Sequence, residues 1–205
     1  MAKGPKYRVP YRRRREQKTD YKARHTLATS SDPRFVIRPT NRNMIVQIIR
    51  SEVKGDYTIV QTSSAELIRK FNWLGGRKSI SAAYLLGLIA GYKALNSGIE
   101  YTILDIGLKR PSKGSRVFAV VLGAQDAGLN VPCDGEVIPV TEKIEGSTIA
   151  DYAESLKVPR DTSEEEEINR YERIFSGYLR RGLKPEILPS HFKEVKARIQ
   201  EEFNG

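Results

Sequence analysis

Residues 79–98, SISAAYLLGLIAGYKALNSG, are apolar on nearly every helical face. A helix without a polar side must be covered all round, so this segment predicts a central buried helix that the rest of the chain has to wrap. Ser79 supplies an N-cap and Gly98 the stop. Gly87 and Gly91, four apart, carry no Cβ and predict close approach to a sheet. The apolar run Ala82–Tyr92 is far short of the roughly 20 residues that cross a bilayer, and no apolar stretch follows the basic N-terminus as it would in a secretory signal. The expectation is a soluble intracellular protein.

The cover for that helix is legible on both sides of it. RFVIR from Arg34, NMIVQIIRS from Asn43 and YTIVQTS from Tyr57 are rich in β-branched residues. They are separated by the turn compositions Pro39–Arg42 and Gly55–Asp56, which predicts a three-stranded antiparallel meander. Ser64 can cap a short helix, 65–71. After the long helix, YTILDI (101–106) predicts a short strand buried on both faces. SRVFAVVLGAQDAGL has Ser115 as its cap and places Val117, Val121, Ala124 and Gly128 on one helical stripe, although RVFAVV alone would also suit a strand. The order β-β-β-α-α-β-α implies an α/β fold: the meander is extended by a further strand into a mixed sheet with helices packed on it. Residues 131–148 read as irregular, and 149–156 as helix. In the next helix Thr162 and Glu165 form a capping box and Gly182 closes it. A last helix starts at Ser190 with Phe192, Val195, Ile199 and Phe203 on one face.

Residues 1–31 show neither period and read as an extended arm. Within it, YRVPYRRRREQKTDYKAR (7–24) holds eight Lys/Arg and three Tyr in eighteen residues. Such a segment builds no core. Tyrosine does nothing for solubility, but its ring stacks on bases while neighbouring guanidiniums hold phosphates. Arginine's planar fork suits bidentate phosphate contact better than a simple charge brush, and Pro5 and Pro10 stiffen the path. Three segments follow: a basic arm 1–31, an α/β core 32–130, and an irregular linker with an acidic helical extension 131–205. Residues 1–25 carry ten Lys/Arg against two acids, 26–130 fourteen against seven, and 131–205 eleven against sixteen. That asymmetry points to a polyanionic partner for the first two segments only.

Catalytic and metal chemistry find little support. One cysteine, Cys133, excludes an internal disulfide, and the two histidines, His25 and His191, make no zinc set. GGRKS (75–79) departs from the Walker phosphate loop, because Arg77 separates Gly76 from Lys78 and no glycine stands at 71 or 72. Its position at a helix start still suits an RNA phosphate. Asp105 has no second acid or histidine in a local motif, so a hydrogen-bonding role at the strand end is expected. No nucleophile motif occurs. With no helix-turn-helix spacing, zinc knuckle or basic zipper, irregular folded RNA fits better than duplex DNA. A generic nucleic-acid chaperone and an RNA-modifying enzyme remain the rival classes.

Several stretches, in order, resemble the large-subunit ribosomal protein family that binds 5S rRNA, universal number eighteen, in its archaeal form. They are the arm, DPRFVIRPTNRNMIVQIIR, GDYTIVQTSSAEL, AAYLLGLIAGYKAL, ILDIGLKRPSKGSRVFAVVLGAQDAGLNVP and GSTIADYA. The likeness covers nearly residues 1–156, and the C-terminal helices match the archaeal and eukaryotic extension more loosely. It implies a structural, non-catalytic protein of the ribosome in the cytoplasm, with no cofactor, metal, membrane or small-molecule substrate. Its implied partners are 5S rRNA, 23S-type large-subunit rRNA and neighbouring ribosomal proteins of the central protuberance.

Carried onto this chain, the RNA-facing candidates in the arm are Lys3, Lys6, Tyr7, Arg8, Tyr11, Arg12, Arg13, Arg14, Arg15, Lys18, Tyr21, Lys22 and Arg24. Arg34, Arg38, Asn41, Arg42 and Asn43 follow at the first hairpin, then Ser63, Ser64, Arg77, Lys78 and Ser79, and finally Lys109, Arg110 and Lys113. Residues 131–205, which short bacterial members lack, are expected to face protein neighbours or to act as a spacer.

Overall fold

The computed structural model describes residues 4–156 and 164–204. The arm carries α1 (Arg12–Arg15) and α2 (Tyr21–Thr29), followed by β1 (Arg34–Pro39), β2 (Met44–Glu52) and β3 (Gly55–Ser63). Next come α3 (Ser64–Phe71), α4 (Ile80–Asn96), β4 (Ile103–Asp105) and α5 (Arg116–Asp126). A 3₁₀ turn at Gly135–Val137 leads to α6 (Thr141–Glu145), α7 (Ser147–Ser155) and α8 (Glu164–Leu179), and a second at Pro185–Ile187 precedes α9 (Leu188–Asn204).

The sheet order is β3-β2-β1-β4, with β1, β2 and β3 antiparallel and β4 parallel to β1. This is the expected meander with its added strand. β4 is shorter than expected and is only half-buried at Ile103 and Leu104. The reason for its parallel pairing is topological: the chain returns along β1 after crossing the sheet through α3 and α4.

α4 is buried along most of its length, from Ser81 to Gly91 and again at Ala94. Ser79 caps it, its hydroxyl accepting from the Ala82 amide at 3.1 Å and donating to the Gly76 carbonyl at 2.9 Å. The two glycines do not meet the sheet. A Cβ on Gly87 would enter the Val120 carbonyl, and one on Gly91 would sit 2.6 Å from the Ala127 Cβ and 2.9 Å from the Ala124 oxygen. Gly123 returns the contact from α5, where a Cβ would enter the Tyr84 carbonyl. The small-residue stripe therefore serves helix–helix contact, while the other side of α4 packs on β2 and β3. Tyr84 on α4 donates to Asp126 on α5 at 2.5 Å, which locks the pair.

One cluster of buried side chains runs from Phe35 and Ile37 through α4 and α5 to Ile144, Leu188, Phe192, Val195 and Ile199. It draws on both sides of residue 130, so the C-terminal extension packs on the core, and the apolar face read for the last helix is the one that does so. His191 fastens α9 further. Its Nε2 accepts from the Leu74 amide at 3.1 Å, and its ring stacks on buried Trp73 at 5.2 Å and 18°. Burial pushes its pKa below the ordinary histidine value, which favours the neutral ring this bond requires.

Four local expectations change. The arm is not extended throughout: Asp20 caps α2 by accepting from the Lys22 and Ala23 amides, and α2 buries no residue, so no apolar period announced it. Residues 131–148 hold a 3₁₀ turn and α6. Ser64 is the first residue of α3, not its cap, and its hydroxyl accepts from the Met44 amide instead. Ser115 precedes α5 without a side-chain capping bond. Thr162, half of the expected capping box, lies outside the described residues.

In an ordinary helix interior Gly→Ala stabilises by about 1 kcal/mol. Here the added methyl meets backbone, so Gly87→Ala is expected to lower the unfolding free energy by about 1–3 kcal/mol, read from the denaturant midpoint at unchanged slope. A gain in stability would contradict the α4–α5 contact.

Candidate nucleic-acid interface

Asp105, at the end of β4, organises the site. Its Oδ2 meets Arg34 Nη1 at 3.1 Å, and its Oδ1 meets Arg38 Nη2 at 2.8 Å and accepts from the Gly107 amide at 2.9 Å. Arg38 Nη1 also donates to the Asp105 carbonyl at 2.8 Å. Gly107 adopts φ 63, and a Cβ there would stand 3.1 Å from the Arg38 guanidinium carbon, so the basic loop after β4 can fold back only over a glycine.

A second carboxylate continues the chain. Arg34 Nη2 lies 2.9 Å from Asp56 Oδ2 on β3, and Arg24 of the arm helix donates to the same oxygen at 3.0 Å. Burial alone would raise the Asp56 pKa. Hydrogen bonds and charge from Arg24 and Arg34 more than offset it and hold the carboxyl below its ordinary value. The line Arg24–Asp56–Arg34–Asp105–Arg38 thus fastens arm, meander, β4 and loop together.

Two of the candidate contacts need correction. The Arg34 side chain is only 3% exposed and is committed to two carboxylates, so it cannot reach a partner. Ser64 is fully buried and bonded to Met44. Arg38 is half-exposed yet ion-paired, and Asn43 is turned inward within the Thr40–Asn43 turn, its Oδ1 accepting from Ser64 at 3.5 Å.

The remaining candidates lie on the surface. Lys6, Tyr7, Arg8, Tyr11, Arg12 to Arg15, Lys18, Lys22 and Arg24 are exposed, with Tyr21 half-buried against Tyr11 at 5.1 Å between rings. Arg12 and Lys18 pair with Glu16, and Arg13 donates to Thr19 at 2.8 Å. Among the described residues no carboxylate lies in ion-pair range of Arg8, Arg14, Arg15 or Lys22. Asn41, Arg42, Arg77, Lys78, Lys109 and Arg110 are exposed, and Ser63 and Ser79 are half-buried. Lys113 pairs with Glu136 at 2.8 Å, but both are about three-quarters exposed, so the pair is weak and readily exchanged for a phosphate. Lys3 lies outside the described residues.

Between α2 and the loop after β4 is a cleft of about 470 Å³ lined by Leu27 and Leu104, by Arg13, Lys18, Arg38 and Lys109, and by the already committed Asp20 and Asp105. Apolar side chains beside several cations can accommodate an unstacked nucleobase with its phosphates. Asp20 and Asp56, which position the arm, are easily passed over in the sequence, because Asp56 sits in a turn composition and Asp20 in a stretch dominated by charge. The spacing of Asp20 before a basic helical turn was the available signal. Among the described residues no group of His, Cys, Asp and Glu could hold a metal ion.

Residues 5–101 and 98–134 match the family model described as ribosomal large subunit proteins 60S L5 and 50S L18. The large ribosomal subunit protein uL18 of Caldivirga maquilingensis is 47% identical over 203 residues, covering 99% of this chain and 95% of that protein. The chain belongs to this family. It is therefore a structural, non-enzymatic protein of the large ribosomal subunit that works in translation and binds rRNA.

Removing the organising carboxylate should strand Arg34. Asp105→Ala is expected to cost about 3–5 kcal/mol in denaturant unfolding, whereas Arg14→Ala should stay within about 0.5 kcal/mol of the parent. Equal effects of the two would remove the Asp105 network from the account.

Proposed function

We propose that this chain binds 5S rRNA and anchors it to 23S-type rRNA in the central protuberance. The arm, the β1–β2 turn and the loops before α4 and after β4 form the RNA face. The acidic outer surface of the C-terminal extension lies towards protein neighbours. The observation that carries the proposal is a tyrosine- and arginine-rich arm tied to the sheet through Arg24 and Asp56 while most of its other cations stay on the surface.

The tether decides between a mobile charge brush and a shaped reader. Arg24 and Asp56 hold α2 beside the sheet, so Arg13, Lys18 and Lys109 converge on one cleft instead of sampling solvent independently. Such preorganisation reduces the ordering cost of binding. If about ten of these cations meet phosphates, the affinity for RNA falls with a log–log salt slope near −7.

Replacing both Arg13 and Arg14 with Ala is expected to flatten that slope by roughly 1.4–1.8 for 5S rRNA while the fold stays cooperative. Wild-type protein should prefer 5S rRNA over transfer RNA at matched salt. Equal affinity for the two RNAs would reduce the chain to a non-specific RNA binder.

A further inference from the structure

Three segments distant in sequence meet around a cavity of about 570 Å³ on the sheet end opposite the β2–β3 turn. They are the β1–β2 turn through Arg42, the loop before α4 through Arg77 and Lys78, and the end of α8 through Tyr178 and Arg181. Arg42, Arg77 and Lys78 are exposed. Among the described residues, no carboxylate lies in ion-pair range of these three or of Arg181. Four cations line one depression with no acid between them.

Arg181 is held unlike an ordinary surface arginine. Its Nε donates to the Gly177 carbonyl at 2.6 Å, its Nη1 donates to the Gly75 carbonyl, and its guanidinium carbon stands 5.5 Å from the Tyr178 ring centroid. Two of the five guanidinium N–H groups are thereby used, and the others are left for a partner. The plane is fixed before any partner arrives, so little side-chain entropy remains to be lost. Burial lowers the Arg181 pKa and the Arg77 charge adds to this, while Tyr178 opposes it. Arg77 is thus close enough for the two cations to repel, and a shared anion would relieve them.

We propose that this cavity is a subsite for a backbone phosphate of 5S rRNA, with Arg181 of the acidic extension as one of its ligands beside Arg42, Arg77 and Lys78. The proposal rests on the 5S rRNA reading above and extends the RNA face into a segment whose net charge argues against it. A fixed planar fork flanked by mobile cations matches a phosphate's equivalent oxygens. The cations come from three separate segments around one depression, and exposed Asn41 adds an amide beside Arg42, so a continuous polyanion fits better than an isolated acidic side chain.

The test is a potassium chloride titration of 5S rRNA binding to the full chain and its variants. Arg181→Gln and Arg77→Gln should each flatten the log–log slope by roughly 0.7–0.9, and Arg181→Lys should keep the slope because the charge remains. Among the described residues the Arg77 side chain makes no hydrogen bond or ion pair, so Arg77→Gln stands even if Arg181→Gln disturbs the turn at Gly75. Unchanged slopes in both glutamine variants, with the Arg13 and Arg14 double variant still losing slope, would overturn the subsite and leave the 5S reading intact. Unchanged RNA slopes with weakened binding of polyglutamate would overturn it in favour of an acidic protein segment. Failure of the wild type to bind 5S rRNA at all would remove the reading on which the subsite rests, and the subsite with it.

Discussion

The contact of Arg34 with Asp105 is the constraint on which the arrangement depends. Both side chains are almost wholly buried, at 3% and 7% exposure. Burying one such charge alone costs several kcal/mol even after the surroundings relax. The cost is offset only because each ion has further partners: Asp56 for Arg34, and Arg38 with the Gly107 amide for Asp105. A carboxylate on a three-residue strand therefore decides where β4 lies on β1, how the basic loop leaves the sheet, and which arginine carries the tie onward to the arm.

From that tie follows a separation of charge. Acids within the first 130 residues are largely consumed inside the molecule or against it: Asp20 on helix amides, Asp56 and Asp105 on arginines, Glu66 on Lys93 at 2.6 Å. Burial would raise the Glu66 pKa, but hydrogen bonds from Lys93 and Thr62 hold it below its ordinary value. With these acids committed, Arg8, Arg14, Arg15 and Lys22 of the arm and Arg42, Arg77 and Lys78 of the loops face outward with no acid in ion-pair range among the described residues. That is the electrostatic condition for gripping a phosphate backbone. The helix pair α4–α5 supports this at a distance. Close contact through Gly87, Gly91 and Gly123 keeps the layer behind the sheet compact, and the loops before α4 and α5 emerge from it at fixed positions.

Much of this was legible in the sequence, and the exceptions have physical reasons. The meander, the buried α4 and the order of elements followed from alternation, turn residues and an all-round apolar helix, because these patterns report burial directly. The apolar face of α9 was equally plain in Phe192, Val195 and Ile199. The arm helices were not, since α2 buries nothing and its formation depends on a cap, Asp20, in a stretch dominated by charge. The role of Gly87 and Gly91 was recognised as close approach, but a one-dimensional pattern does not say against what. In the candidate site, exposed cations were legible in composition, but composition also swept in Arg34, and the family resemblance brought in Ser64. Nothing local distinguishes an arginine that faces solvent from one that meets two acids, 22 and 71 residues further along the chain. Arg181 was missed for the converse reason: the negative charge of its segment hid one locked cation.

The most direct measurement is amide hydrogen exchange of the protein free and bound to 5S rRNA. If the arm and loops are the RNA face, the amides of residues 4–31 and of the β1–β2 turn slow markedly on binding while α9 stays as it was. Exchange in the arm that is as fast in the complex as in the free protein would contradict the account.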